Sequence, residues 1–174
     1  MESKLLELKN IKKFFGPTKA LNGVSFDLER GEIHCLVGEN GAGKSTLIKT
    51  LAGLHKPDGG EIFVEGKRVQ IESPNVSEAL GISVVHQELN LCEDLTVAEN
   101  IYLGNESQKG FFLDKHAQIQ RAKELLKDID PSIEPSAVVR TLSTGKRQIT
   151  EIARAVSGET KIIIFDEPTS SLSD

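Results

Sequence analysis

Apolar and polar residues alternate at Leu6-Glu7-Leu8 and again at Val24-Ser25-Phe26-Asp27-Leu28, which predicts two half-exposed strands. Gly31 turns the second into the apolar run Ile33-His34-Cys35-Leu36-Val37, a further predicted strand. Leu47, Ile48 and Leu51 follow at helical spacing, with Gly53 placed as a terminator. Pro57-Asp58-Gly59-Gly60 marks a turn, and Ile62, Val64, Val69 and Ile71 alternate on either side of Gly66-Lys67, predicting a small antiparallel hairpin. Ser73-Pro74 opens a short helix ending at Gly81, and Ile82-Ser83-Val84-Val85 is a short, mostly apolar strand.

From Leu89 to Gly158 the period changes from two to nearly four. Thr96-Val97-Ala98-Glu99 has the spacing of a capping box. Asp114 is placed to cap a helix carrying Ile119, Ala122, Leu125, Leu126 and Ile129, stopped by Pro131. Ile149, Ile152, Ala153 and Val156 define the inward face of another helix, closed by Gly158. Residues 161–165 are then a β-branched apolar run, suited to a parallel strand buried on both faces. The order predicts an α/β core with an antiparallel β subdomain and an inserted helical subdomain. Residues 1–88 and 159–174 form the core with its β subdomain, 89–158 form the helical part, and hinges fall near 87–91 and near Gly158.

At 174 residues the chain has the length of one ordinary domain, with 38% hydrophobic and 27% charged residues, which fits a folded globular protein. A net charge of −5 speaks against a general nucleic-acid binder. Cys35 and Cys92 form neither a paired motif nor a disulfide framework and are expected to be core or half-buried in a reducing compartment. No signal-peptide pattern opens the sequence, and its longest apolar run, Ile162-Ile163-Ile164-Phe165, is too short to span a bilayer. A cytoplasmic location is expected.

The chemistry concentrates at Gly38-Glu39-Asn40-Gly41-Ala42-Gly43-Lys44-Ser45-Thr46, between a predicted strand and a predicted helix. Gly38, Gly41 and Gly43 allow positive φ and close approach of the backbone to an anion. Loop amides and the helix N-terminus can then cradle phosphates; Lys44 can reach β- and γ-phosphate oxygens, and Ser45 can place its hydroxyl on Mg²⁺. Asp166-Glu167, just past an apolar strand, is placed to hold Mg²⁺ through water and to orient an attacking water. Ser143, taken locally, is a helix N-cap. Phe14 and Phe15, beside the turn Gly16-Pro17, read as core on spacing alone. No N-K-x-D motif of the kind that reads a guanine base is present.

Taken together, GENGAGKST at 38–46, Gln87 in VVHQELNL, LSTGK at 142–146, IIIFDEP at 162–168 and SLSD at 171–174 resemble the ATP-binding cassette ATPases along essentially the whole chain. VVHQELN and LTVAENIYLG are further similar to the first cassette of the tandem ATPases that drive ribose- and galactose-type sugar importers. The resemblance implies a P-loop NTPase fold, the cofactors ATP and Mg²⁺, and ATP hydrolysis coupled to carbohydrate import. It implies that Gly38, Asn40, Gly41, Gly43, Lys44, Ser45 and Thr46 hold the nucleotide, that Phe15 stacks on adenine rather than entering the core, and that Ser45, Gln87 and Asp166 attend the metal. Glu167 would polarise the water, with Lys44 and Gln87 beside it in catalysis, and Ser143 and Gly145 would complete the phosphate site of a second cassette packed head to tail. The implied partners are that second cassette, transmembrane permease subunits and, through them, a sugar-binding protein, with the chain peripheral on the inner face of the cell membrane.

Two departures stand out. The family signature ends in Gln, whereas here Gly145 is followed by Lys146 and Arg147, and two cations at a helix N-terminus oppose the helix dipole unless they face an anion. The sequence also ends at Asp174, before the family's remaining strands and switch histidine, a role that His34, His55, His86 and His116 cannot fill. The expectation is therefore a truncated cassette that binds nucleotide weakly and turns it over poorly or not at all. The competing classes are a soluble cassette ATPase working on ribosomes or nucleic acid and a nucleotide-binding module without catalysis.

Overall fold

Leu6, Leu8 and Ile11 are all buried along strand β1 (Leu6–Phe15), although strict alternation would turn Ile11 outward. A register shift between Leu8 and Ile11 corrects the phase. Asn10 sits there at φ 51°, and its amide donates to Ser25 Oγ at 2.8 Å. β1 pairs antiparallel with β2 (Thr18–Leu28), from Leu6 opposite Leu28 to Phe15 opposite Thr18, so the chain reverses at Gly16-Pro17. The computed structural model describes residues 4–86, 89–106, 108–109 and 112–166, and the chain divides into two compact units, Met1–Ile82 and Ser83–Asp174.

In the first unit Gly31, at φ 79°, makes the predicted turn after β2, but residues 33–37 form no strand. All residues from 31 to 40 are exposed, Ile33 at 93% and Val37 at 91%. A strand is held by ladder hydrogen bonds to its neighbours, and among the described residues none pairs with 33–37. The expected burial of the cysteines fails as well. Cys35 lies in this open segment and Cys92 in an irregular stretch, and both are exposed.

Helix α1 (Lys44–Leu51) buries Leu47, Ile48 and Leu51 and is ended by Gly53 at φ 73°. A Cβ on Gly53 would fall 2.3 Å from the Ser73 carbonyl oxygen, so the terminator is also a close-packing point. Strands β3 (Gly59–Val64) and β4 (Lys67–Val69) form the expected hairpin, its two-residue turn at Glu65-Gly66 taking φ 50° and 75°. The sheet order is β2-β1-β3-β4. Helix α2 (Pro74–Ala79) starts at the Ser73 N-cap with Pro in its first turn, and its buried Ser77 hydroxyl donates to the Leu51 carbonyl at 2.7 Å.

Strand β5 (Ile82–Val85) leads into the second unit. There α3 (Val97–Ile101) opens on the Thr96–Glu99 capping box, with both reciprocal bonds present. Two short strands, β6 (Gln108–Lys109) and β7 (Phe112–Leu113), pair antiparallel, and α4 (Lys115–Ile129) starts at Asp114, whose carboxylate accepts the Ala117 amide. Helix α5 (Thr144–Val156) packs with α3 and α4 around Val97, Ile101, Ala122, Leu126, Val139 and Ala153. Strand β8 (Ile162–Phe165) pairs with β5. Ile162 is buried but Phe165 is 47% exposed, so the expected burial on both faces does not extend along the strand.

The inward face of α5 differs from its apolar periodicity. Ala153 is fully buried and Ile149 packs on the core, but Gln148, Thr150 and Glu151 are buried too, while Ile152 and Val156 are only half-buried. Among the described residues no helix is long and apolar enough to cross a membrane.

Candidate functional site

The glycine-rich loop has left-handed backbone at two of its three expected glycines. Gly41 and Gly43 have φ 84° and 94°, whereas Gly38 is not in the left-handed region. At Gly38 the approach is tight instead, since a Cβ there would come within 3.2 Å of the Ala42 side chain. Gly43 is constrained twice: its φ disfavours any side chain, and a Cβ would lie 2.4 Å from the Ala20 carbonyl oxygen on β2. Gly43 is also the N-cap of α1, so no side chain caps that helix and its first amides are left to the loop. Lys44 turns its ammonium onto the loop itself, donating to the carbonyl oxygens of Gly38 at 2.6 Å and Glu39 at 3.0 Å. Ser45 is exposed, and Thr46 is half-buried with its carbonyl accepting the Thr50 hydroxyl at 2.8 Å. Asn40 is exposed beside the Glu39–Ala42 turn.

Phe14 and Phe15 are 37% and 45% exposed, which overturns the core reading based on spacing. The end of β1 is pinned by Asp58, which accepts the Phe14 amide at 2.6 Å and the Lys13 ammonium at 3.2 Å. The amide is the main reason its carboxyl lies below the ordinary aspartate value. Phe15 meets His55 edge to face, with ring centroids 5.2 Å apart, and the Lys13 ammonium lies 5.5 Å from its ring. The Phe15 ring is thus held at the end of β1 with part of its area in solvent.

Ser143, Gly145 and Asp166 belong to the second unit. Ser143 is the N-cap of α5, accepting the Lys146 amide at a long 3.5 Å, and it is exposed. Gly145 has nothing within 4 Å of where a Cβ would sit. The two cations that follow are taken up by oxygen atoms. Lys146 donates to the Ser132 carbonyl at 3.0 Å. Arg147 donates to the carbonyls of Leu142 and Arg140 at 3.1 and 2.8 Å and to Glu93 at 2.9 Å. Asp166 directly follows β8, its amide donating to the Val85 carbonyl at 3.0 Å. Gln87 and Glu167 lie outside the described residues.

Sequence reasoning missed several residues that shape this second region. Asn100, wholly buried, bonds both the amide and the carbonyl of Cys92. Glu151, also buried, accepts the Asn90 amide at 3.0 Å, and desolvation raises its carboxyl above the ordinary glutamate value. The available signal was the spacing of Arg147, Glu151 and Arg154 along one side of a helix read only for its apolar face. Among the described residues no cluster of His, Cys, Asp and Glu has metal-ligand geometry of its own. In the first unit Ser45 presents an exposed hydroxyl, an oxygen donor of the kind a hard cation takes, and in the second unit Asp166 presents a carboxylate.

The fold and the loop define an α/β domain of the P-loop NTPase type. The family described as ABC transporter matches residues 21–170, and the chain belongs to that family. It is 49% identical over 168 residues to the ribose import ATP-binding protein RbsA 1 of Streptomyces avermitilis, covering 97% of this chain and 32% of that protein. It is 45% identical over 172 residues to the galactose/methyl galactoside import ATP-binding protein MglA of Clostridium perfringens, covering 99% and 33%. The chain therefore spans about a third of the length of the curated relatives it matches. Among solved structures, an ATP-binding cassette of an ABC transporter in its ADP conformation superposes with a TM-score of 0.83 at 31% identity, over 96% of this chain and 70% of that one. A further match is cbiO1 from Clostridium perfringens, part of the ABC transporter complex cbiONQ, with a TM-score of 0.80 at 28% identity, over 97% and 67%.

Proposed function

We propose that this chain is the nucleotide-binding part of an ATPase that powers carbohydrate import through an ABC transporter. The observation that carries the reading is the loop 38–46, where Gly41 and Gly43 hold left-handed backbone, Gly43 has no room for a Cβ, and α1 begins without a side-chain cap. A phosphate chain is the ligand such a loop suits. Lys44 moves from the Gly38 and Glu39 carbonyls to the β- and γ-phosphate oxygens, Asn40 and Thr46 line the loop, and Phe15 stacks on adenine. Ser45, Gln87 and Asp166 attend Mg²⁺, which when bound draws charge from the transferring phosphoryl group. Glu167 orients water, with Lys44 stabilising the charge that develops.

Residues 89–158 act as the signature-bearing subdomain, offering Ser143 and Gly145 to the nucleotide of a second cassette, arranged head to tail. ATP-driven closing and reopening of the pair is the two-state element that moves permease subunits served by a sugar-binding protein. The chain then works at the inner face of the membrane without entering it. The sugar assignment rests on 45–49% identity to ribose and galactose/methyl galactoside import ATP-binding proteins.

Titration with a fluorescent ATP analogue and Mg²⁺ tests the nucleotide site. Saturable binding that Lys44→Ala weakens by about tenfold or more is expected, and binding indifferent to that change would overturn the reading. The import assignment is tested by co-purification: recovery with membrane subunits supports it, and recovery with ribosomes or RNA contradicts it.

A further inference from the structure

We propose that Arg147, Glu151 and Arg154 are positioning residues, a polar stripe along α5 that sets the orientation of Ser143 and Gly145. The proposal rests on the ATPase reading of those two residues. Positions separated by four and then three residues share one side of a helix, so the three side chains leave α5 on the same side. Arg147 uses its whole fork: Nε donates to the Leu142 carbonyl at 3.1 Å, Nη2 to the Arg140 carbonyl at 2.8 Å and Nη1 to Glu93 Oε1 at 2.9 Å. It thereby fixes the backbone immediately before Ser143. One and two turns further on, Glu151 Oε2 accepts the Asn90 amide at 3.0 Å and Arg154 Nη1 donates to the Asn90 carbonyl at 3.3 Å.

The strip being held, residues 89–92, lies in no helix or strand, and side chains from elsewhere in the fold bond its backbone at Asn90 and Cys92. Glu151 is 6% exposed, and a carboxylate at that depth is unfavourable unless a specific partner uses it. The Asn90 amide is that partner. Segments 90–95 and 139–142 are also tied to each other, through Arg140 N to Glu93 O at 3.0 Å and Val139 N to Leu95 O at 3.0 Å. The stripe thus fastens α5 to two segments that already form one block, and that block ends three residues past Gln87. The Ser143 end of α5 is then oriented by the block, which the weak 3.5 Å cap at Ser143 cannot do alone.

The test has two readouts on the protein carrying its full cassette pair. The first is site-resolved amide hydrogen exchange without nucleotide. Arg147→Ala is expected to speed exchange at the amides of 143–147, and Glu151→Ala at Asn90, each by about tenfold or more with α4 unchanged. The second is ATP turnover. Both variants are expected to lower kcat by about tenfold with the binding of a fluorescent ATP analogue to loop 38–46 unchanged, and Glu151→Gln, which keeps an acceptor oxygen for the Asn90 amide, is expected to restore it. Unaltered exchange overturns the proposal, as does unaltered kcat, a parallel loss of nucleotide affinity, or a Glu151→Gln variant as impaired as Glu151→Ala. If the unsubstituted protein bound no ATP, the ATPase reading would fail by itself, while the exchange result would still decide whether the stripe holds these segments.

Discussion

The Lys44 ammonium lies 2.6 Å from the carbonyl oxygen of Gly38, six residues back along the same loop. With the Glu39 carbonyl as second acceptor, this bond keeps the loop's charged side chain curled over its own backbone. On the proposed function, nucleotide binding would replace two neutral acceptors with anionic phosphate oxygens, an exchange favoured because charge-assisted hydrogen bonds are stronger. Replacing Lys44 by Ala is expected to weaken ATP binding by about 1.5–3 kcal/mol. The two carbonyls lie in an exposed loop and turn to water, so thermal unfolding is expected to shift little. A titration paired with a melting curve separates the two effects.

Gly43 and Gly145 make opposite predictions for the same substitution. At Gly43 a Cβ meets the Ala20 carbonyl oxygen at 2.4 Å and the backbone has φ 94°, so Gly43→Ala is expected to destabilise the chain by about 1–3 kcal/mol as well as to abolish nucleotide binding. At Gly145 the space is open and the residue sits in the first turn of α5. Gly145→Ala is expected to leave stability unchanged or raise it by about 0.5–1 kcal/mol. On the proposed function its effect is expected on turnover by a cassette pair, where the backbone of Gly145 would approach the nucleotide of the second cassette. Urea unfolding of both variants beside their ATPase rates checks the contrast.

Glu99 supplies the pH dependence. Its carboxyl is lowered from 4.5 to about 2, first by the Thr96 amide and then by Lys115 and the Thr96 hydroxyl. In the unfolded chain Glu99 takes up its proton as pH falls through 4.5, whereas the folded chain resists until about 2. The stabilisation is therefore complete above the unfolded value and is lost as pH falls between the two. With the side chain 26% exposed and Lys115 at 70%, solvent screening holds the contribution to about 1–2 kcal/mol. Glu99→Gln is expected to be less stable than the parent at neutral pH by that amount, and the gap is expected to close on acidification through this window. Chemical denaturation across the range is the measurement.

What the sequence reveals here is what local chemistry decides. Ser73, Thr96, Asp114 and Ser143 each cap the helix expected of them, because a cap needs only a side chain and an amide two or three residues on. The Gly66 turn and the Gly53 and Gly81 terminators follow from φ preference in the same way. Residues 33–37 show the limit: their apolar run matches a buried strand, but a strand exists only through partners, and none of the described residues supplies one. The cysteine expectation fails with it at Cys35. Glu151 was hidden for the complementary reason. Its partner, the Asn90 amide, is 61 residues away, so helical periodicity marked Glu151 as polar and could not show that it is buried.

Asn100 is the strongest test of how the second unit holds its irregular strip. It is 0% exposed and makes three bonds: Oδ1 accepts the Cys92 amide at 2.7 Å, and Nδ2 donates to the carbonyls of Cys92 and Thr96, each at 3.0 Å. Only an amide side chain supplies an acceptor and two donors in this arrangement. Asn100→Ala strands backbone groups beneath the capping box and opens a small void, and is expected to cost about 2–4 kcal/mol. Asn100→Asp keeps the acceptor but turns a second oxygen toward two carbonyls, which disfavours its charged form and raises its folded-state pKa. Protonation supplies one donor, so the stability deficit of Asn100→Asp is expected to narrow as pH falls, while that of Asn100→Ala stays constant relative to the parent. Urea unfolding of the three proteins at neutral and mildly acidic pH decides it: a deficit for Asn100→Asp that is independent of pH would show that the Nδ2 bonds do not hold the Cys92 strip in place.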